Sequence, residues 1–148
     1  MKSIRFYFAA GLIFTAVLGT LMHYFYGWSV NSPLVALISP VGESTWEHMK
    51  LLFFPVLFWS FFLPARLADQ FPSVRPALLL GGLAGTLLIP VLFYTYTGIL
   101  GYNVTWTDIA IFFICVFVAF VCAWVCRNSE KIYEKRAVIY ALTALFRL

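Results

Sequence analysis

Charge is what this chain has least of. Of its 148 residues only 11% are Asp, Glu, Lys or Arg, while 63% are hydrophobic and 20% aromatic. Soluble domains carry about a quarter charged residues, so this scarcity excludes a water-soluble globular domain and makes the lipid bilayer the expected partner. Acids are rarer than bases, six Asp and Glu against ten Lys and Arg, for a net charge of +4. In so apolar a chain the excess is a topology signal, not nucleic-acid affinity. Cysteine occurs three times. Cys115, Cys122 and Cys126 share one face of the last long apolar segment, the latter two toward its cytoplasmic end, where a reducing compartment opposes a disulfide. They read as small packing residues. No His-Glu-x-x-His, nucleophile elbow, phosphate loop, haem motif or dinucleotide fingerprint is present, so no cofactor-binding signature is read. Internal repeats and low-complexity tracts are also lacking.

What the chain does have is long apolar segments, at about 6–28, 44–65, 76–100 and 108–126, followed by a tail at 127–148. The expected fold class is all-α: one membrane domain over 1–148, a polytopic transmembrane helix bundle of four spans. The tail adds either a C-terminal interfacial helix or a partial fifth span, because its apolar run 137–146 is too short to cross alone. With a cytoplasmic N-terminus, Lys2, Arg5, Arg66, Arg75 and the five bases between positions 127 and 147 lie inside, and Lys50 alone lies outside. The first segment is long for a signal peptide and lacks a cleavage site before the aromatic cluster Tyr24-Phe-Tyr-Gly-Trp28, so it reads as a retained signal anchor. Pro55 and Pro90 predict kinks in the second and third helices. Gly81 and Gly85 form a small-xxx-small face.

The outer side concentrates the chemistry. In Ser39-Pro-Val-Gly-Glu-Ser-Thr-Trp-Glu-His-Met-Lys50, two carboxylates, an imidazole and an ammonium stand at the mouth of a hydrophobic segment, where ionisable groups are costly. The second helix has two possible starts, Ser39-Pro40 or a capping box from Ser44 to Glu47. Ser32-Pro33 similarly opens a short helix in the loop 29–42. The apolar stretch 51–64 gives about 21 Å of helix against a hydrocarbon core of about 30 Å, so the helix must borrow a turn or two from the motif.

On a helix Glu43, Glu47 and Lys50 share a face, and His48 is turned about 100° away. His23 near the outer end of the first helix, Tyr94, Thr95, Tyr96 and Thr97 on the third, and Asp108 opening the fourth all fall at similar depth. Together they are enough to line an outward-facing polar pocket under the loop. Three readings compete. A divalent metal such as zinc would draw on two or three of Glu43, Glu47, His48, His23 and Asp108. A proton or solute site would use Glu47 and His48 as titrating groups. A purely structural role has the acids complement the N-terminal end of the second helix.

The run from Ser39 to Lys50, continued by Leu51-Leu-Phe-Phe-Pro55 and preceded by His23-Tyr-Phe-Tyr-Gly-Trp28, resembles a family of small bacterial inner-membrane proteins of unknown function. Its hallmark is S-P-V-x-E-S-x-W-E-H-x-K-L-x-x-x-P. The resemblance is close over the first two helices and otherwise one of hydropathy. It implies a multi-pass inner-membrane location, hallmark positions Glu43, Ser44, Trp46, Glu47, His48 and Lys50, and a fifth span with a polar tail beyond Leu148. It implies no activity. The expected function is therefore a small integral membrane protein whose pocket binds a metal ion or small polar ligand. One alternative is a membrane-embedded metal-dependent hydrolase with Glu47 and His48 as catalytic candidates, Glu47 as base and His48, His23 and Glu43 as ligands. The other is a non-catalytic accessory subunit of a larger membrane complex, or a homo-oligomer, packed through its small-residue face.

Overall fold

A computed structural model describes residues 2–40, 42 and 44–147, and every regular element among them is a helix. The long ones are α1 (Lys2–Trp28), α3 (Thr45–Phe61), α5 (Val74–Leu100) and α6 (Thr105–Cys126). Between and after them lie the short α2 (Pro33–Ala36), α4 (Ala65–Gln70) and α7 (Glu130–Glu134), and the chain closes with α8 (Arg136–Arg147). By length and composition three of these suit a membrane crossing: α1, whose apolar stretch is Lys2–Phe25, α5 and α6. Four such spans were expected. The second expected span is realised as α3, whose 17 residues give about 25 Å of helix. Its bounds explain the shortfall. Ser44 caps it, its hydroxyl accepting from Glu47 N–H at 3.2 Å, and the helix ends before Leu63-Pro64. Ser39 does not start a helix. It is fully buried and its hydroxyl donates to the Met22 carbonyl of α1, pinning the loop to the first helix. Ser32-Pro33 does open α2. Pro55 and Pro90 lie inside α3 and α5.

The four long helices run alternately up and down around a shared core. At one end, called here the arginine end, Tyr7 donates to the Trp59 carbonyl at 2.9 Å, Arg75 to that of Ser60 at 3.3 Å, and Ser73 to that of Ser129 at 2.9 Å. The other, the histidine end, holds His23, His48 and the α5–α6 turn. That turn closes on Gly101, whose φ of 79° is left-handed and suits glycine.

Small residues set the helix separations. A Cβ on Gly81 would come within 2.3 Å of the Ala119 carbonyl, and one on Gly85 within 2.8 Å of the Cys115 carbonyl. The small-residue face is thus spent inside the chain, joining α5 to α6, with Cys115 fully buried in the seam. Outward, Phe6, Ile13, Val17, Val91, Phe117 and Val125 are exposed, a surface suited to lipid.

The tail helix is not isolated from the bundle. Ile139, Thr143 and Phe146, spaced to share one face of α8, turn inward. Phe146 lies against Phe53 and Trp46 of α3, ring centroids 4.7 Å and 5.9 Å apart. From the arginine end α8 therefore climbs beside α5 and α3 toward the start of α3.

Candidate functional site

Pro55 has no N–H, so the carbonyl of Leu51, four residues earlier, loses its helical donor. The backbone of α1 comes against that carbonyl at Gly19, where a Cβ would lie 2.4 Å from the Leu51 oxygen. One helical turn toward the histidine end, the close approach brings His23 of α1 beside His48 of α3. Their ring centroids are 5.5 Å apart with the planes inclined by 36°. Nδ1 of His48 lies 2.8 Å from the Ser44 carbonyl. Against an acceptor it must carry the proton, so a neutral His48 ring has its lone pair on Nε2.

The third wall is the α5–α6 turn. The Tyr96 hydroxyl donates to Oδ1 of Asp108 and accepts from the Val104 N–H at 3.2 Å, while Asn103 Nδ2 reaches Oδ2 at 3.4 Å. Two side-chain donors thus hold the Asp108 carboxylate in the first turn of α6, where the helix dipole also favours a negative charge. Asp108 was expected to open the fourth helix; that helix begins three residues earlier, at Thr105.

Between these walls lies a cavity of about 430 Å³. Its floor is apolar, built by Gly19, Leu51, Ile89, Ile111 and Phe112, and its rim carries His23, His48, Asp108, Thr20, Thr45 and Asn103. Of the five residues singled out from sequence, His23, His48 and Asp108 come together here. Glu47 does not line the cavity. It lies on the neighbouring face of α3, where Lys50 bridges its carboxylate at 2.8 Å and the Ala36 carbonyl of α2 at 3.0 Å, tying the loop helix down. Glu43 lies outside the described residues. Of Tyr94, Thr95, Tyr96 and Thr97, none lines the cavity, although Tyr96 orients Asp108. Among the described residues no three His, Cys, Asp or Glu side chains gather as a metal would require. Gly19, Thr45, Asn103 and Thr105 were not anticipated from sequence. For Gly19 a signal existed in the period-four small residues Gly11, Thr15 and Gly19.

A family model matches the sequence over residues 1–148. The chain belongs to DUF6512, a family of unknown function. Comparison of this DUF6512 protein with curated proteins and with solved structures gives no match. The family brings no reaction or ligand with it, so for a DUF6512 protein the chemistry must be argued from the cavity. There, two imidazoles, a held carboxylate and four threonine or asparagine side chains surround an apolar floor. That combination can orient a polar group while burying an apolar one.

Proposed function

We propose that this protein crosses the membrane four times, with α8 as part of a fifth crossing, and that it binds a small organic molecule in the cavity at the histidine end. The observation that carries binding is the convergence of His23, His48 and Asp108, from α1, α3 and α6, on one cavity with an apolar floor. A volume of about 430 Å³ falls in the range of small-molecule sites. Four crossings are supported by the path of the chain. α1 and α5 both start at the arginine end, as the Tyr7–Trp59 and Arg75–Ser60 bonds attest, so α3 must carry the chain back between them. Eight of the ten Lys and Arg lie in segments at the arginine end, all but Lys50 and Arg147, which favours that end as cytoplasmic and the cavity as outward-facing. A bacterial inner membrane is the setting implied by the sequence resemblance.

The test is native mass spectrometry of protein extracted gently and without chelator. The expected result is a small organic mass retained by the wild type and lost on Thr20→Trp, which fills the rim. A wild type that carries lipid but no such mass, indistinguishable from Thr20→Trp, counts against binding. The imidazole pair favours a second reading, in which a divalent cation such as zinc is held by His23 and His48, with water completing the set. Stoichiometric metal in the same spectra, lost on both His23→Ala and His48→Ala, would mark that outcome. Hydrolysis has less support, because Glu47 pairs with Lys50 outside the lining.

A further inference from the structure

The charge and ring chemistry of the cavity bear on what it takes. Among its described lining residues are one carboxylate, Asp108, two imidazoles and neither Lys nor Arg. Lys50, the ammonium nearest in sequence, is directed to the Ala36 carbonyl and Glu47 instead. A bound anion would therefore meet Asp108 without a fixed positive partner. A bound cation meets a carboxylate already held in position by Tyr96 and Asn103. It also meets aromatic side chains, since Tyr24, Phe93, Phe112 and Phe113 all line the space. Ring faces attract ammonium groups, most of all where water is scarce. The apolar floor of Leu51, Ile89 and Ile111 asks for a hydrophobic body on the same molecule.

Building on the binding reading above, we propose that the ligand is a lipophilic organic cation. Its amine or quaternary ammonium sits against Asp108 among the rings, and its hydrocarbon body lies over Leu51, Ile89 and Phe112. His23 and His48 stand beside it in the cavity lining.

Three probes of matched size separate the possibilities: benzyltrimethylammonium, its uncharged carbon isostere neopentylbenzene, and phenylacetate as the anion. Binding is measured on the full chain in lipid nanodiscs, with empty discs subtracted, at about pH 8, above the ordinary imidazole range. The expected result is a preference for benzyltrimethylammonium over neopentylbenzene of about tenfold, the size of one charge-assisted contact. Asp108→Asn should abolish the preference while leaving neopentylbenzene binding in place. Thr105→Lys leaves the Asp108 hydrogen bonds untouched and sets a competing ammonium on the rim, and it should do the same. Equal or tighter binding of neopentylbenzene or phenylacetate would overturn the cation proposal yet uphold the cavity as a binding site. So would a preference that survives both substitutions. No binding of any probe beyond empty discs would overturn both.

Discussion

Gly19 carries no functional group, yet it decides where His23 sits. A methyl there would lie 2.4 Å from the Leu51 carbonyl and 2.6 Å from the Phe112 ring, and the carbonyl belongs to a backbone that has little room to yield. Gly19→Ala should push α1 from α3 and cost about 1–3 kcal/mol, the usual range for overpacking, read as a lowered unfolding temperature in nanodiscs. The same variant should weaken whatever the cavity retains, because His23 and His48 are carried apart. Wild-type stability in Gly19→Ala would show that the contact is looser than this. Glu47 behaves differently. Its carboxylate is half-buried and bridged to Lys50 on a face the cavity does not share, so Glu47→Gln should cost at most about 1 kcal/mol and leave probe binding unchanged. Lost binding with intact stability would put Glu47 back among the working residues. The sequence pattern revealed that His48 is turned away from Glu47, since that follows from helix geometry alone. It did not reveal that His23, rather than Glu47, is the neighbour of His48. That pairing depends on how closely two helices approach, which Gly19 and the freed Leu51 carbonyl determine.

Among the elements, the start of α3 was open between Ser39 and Ser44, because both obey the local rules for opening a helix. A long-range contact decides it: the Ser39 hydroxyl is committed to Met22 of α1, which leaves Ser44 as the cap. Ser44→Ala should therefore cost about 1 kcal/mol, while thermal unfolding that matches the wild type would mean the cap bond is not formed in the membrane. In the preceding loop Val30 has a φ of 56° and Asn31 of 59°. Asparagine accepts that region readily, but a β-branched side chain does not. Val30 is 90% exposed, so its side chain gains little from packing in return. Val30→Gly should relieve the strain and raise stability by under about 1 kcal/mol, after the greater freedom of glycine in the unfolded chain is offset. A destabilised Val30→Gly would argue that the loop takes another backbone path. Local propensity could not reveal this strain, because nothing around Val30 in sequence marks a left-handed position. The amphipathic tail, by contrast, was legible as a helix, although not as one that climbs beside α5 to meet Phe53.

For the whole molecule, the alternation of helix directions constrains topology more firmly than helix length does. α3 falls short of the bilayer by about a turn, and taken alone it is shorter than a crossing needs. However, α1 ends and α3 begins at the histidine end, whereas α3 ends and α5 begins at the arginine end. If α1 and α5 both cross, α3 must too, with the bilayer thinned or its flanking residues drawn to the interface. Impermeant maleimide labelling in intact cells tests this. The background carries Cys115→Ala, Cys122→Ala and Cys126→Ala, and the reporters are Gly42→Cys before α3 and Asp69→Cys in α4. Gly42→Cys should label at once and Asp69→Cys only after permeabilisation, which also fixes the cavity on the outer face. The reverse pattern would keep the crossing and turn the cavity toward the cytoplasm. Labelling of both from one side would remove α3 as a span, and with it the geometry that sets His48 opposite His23.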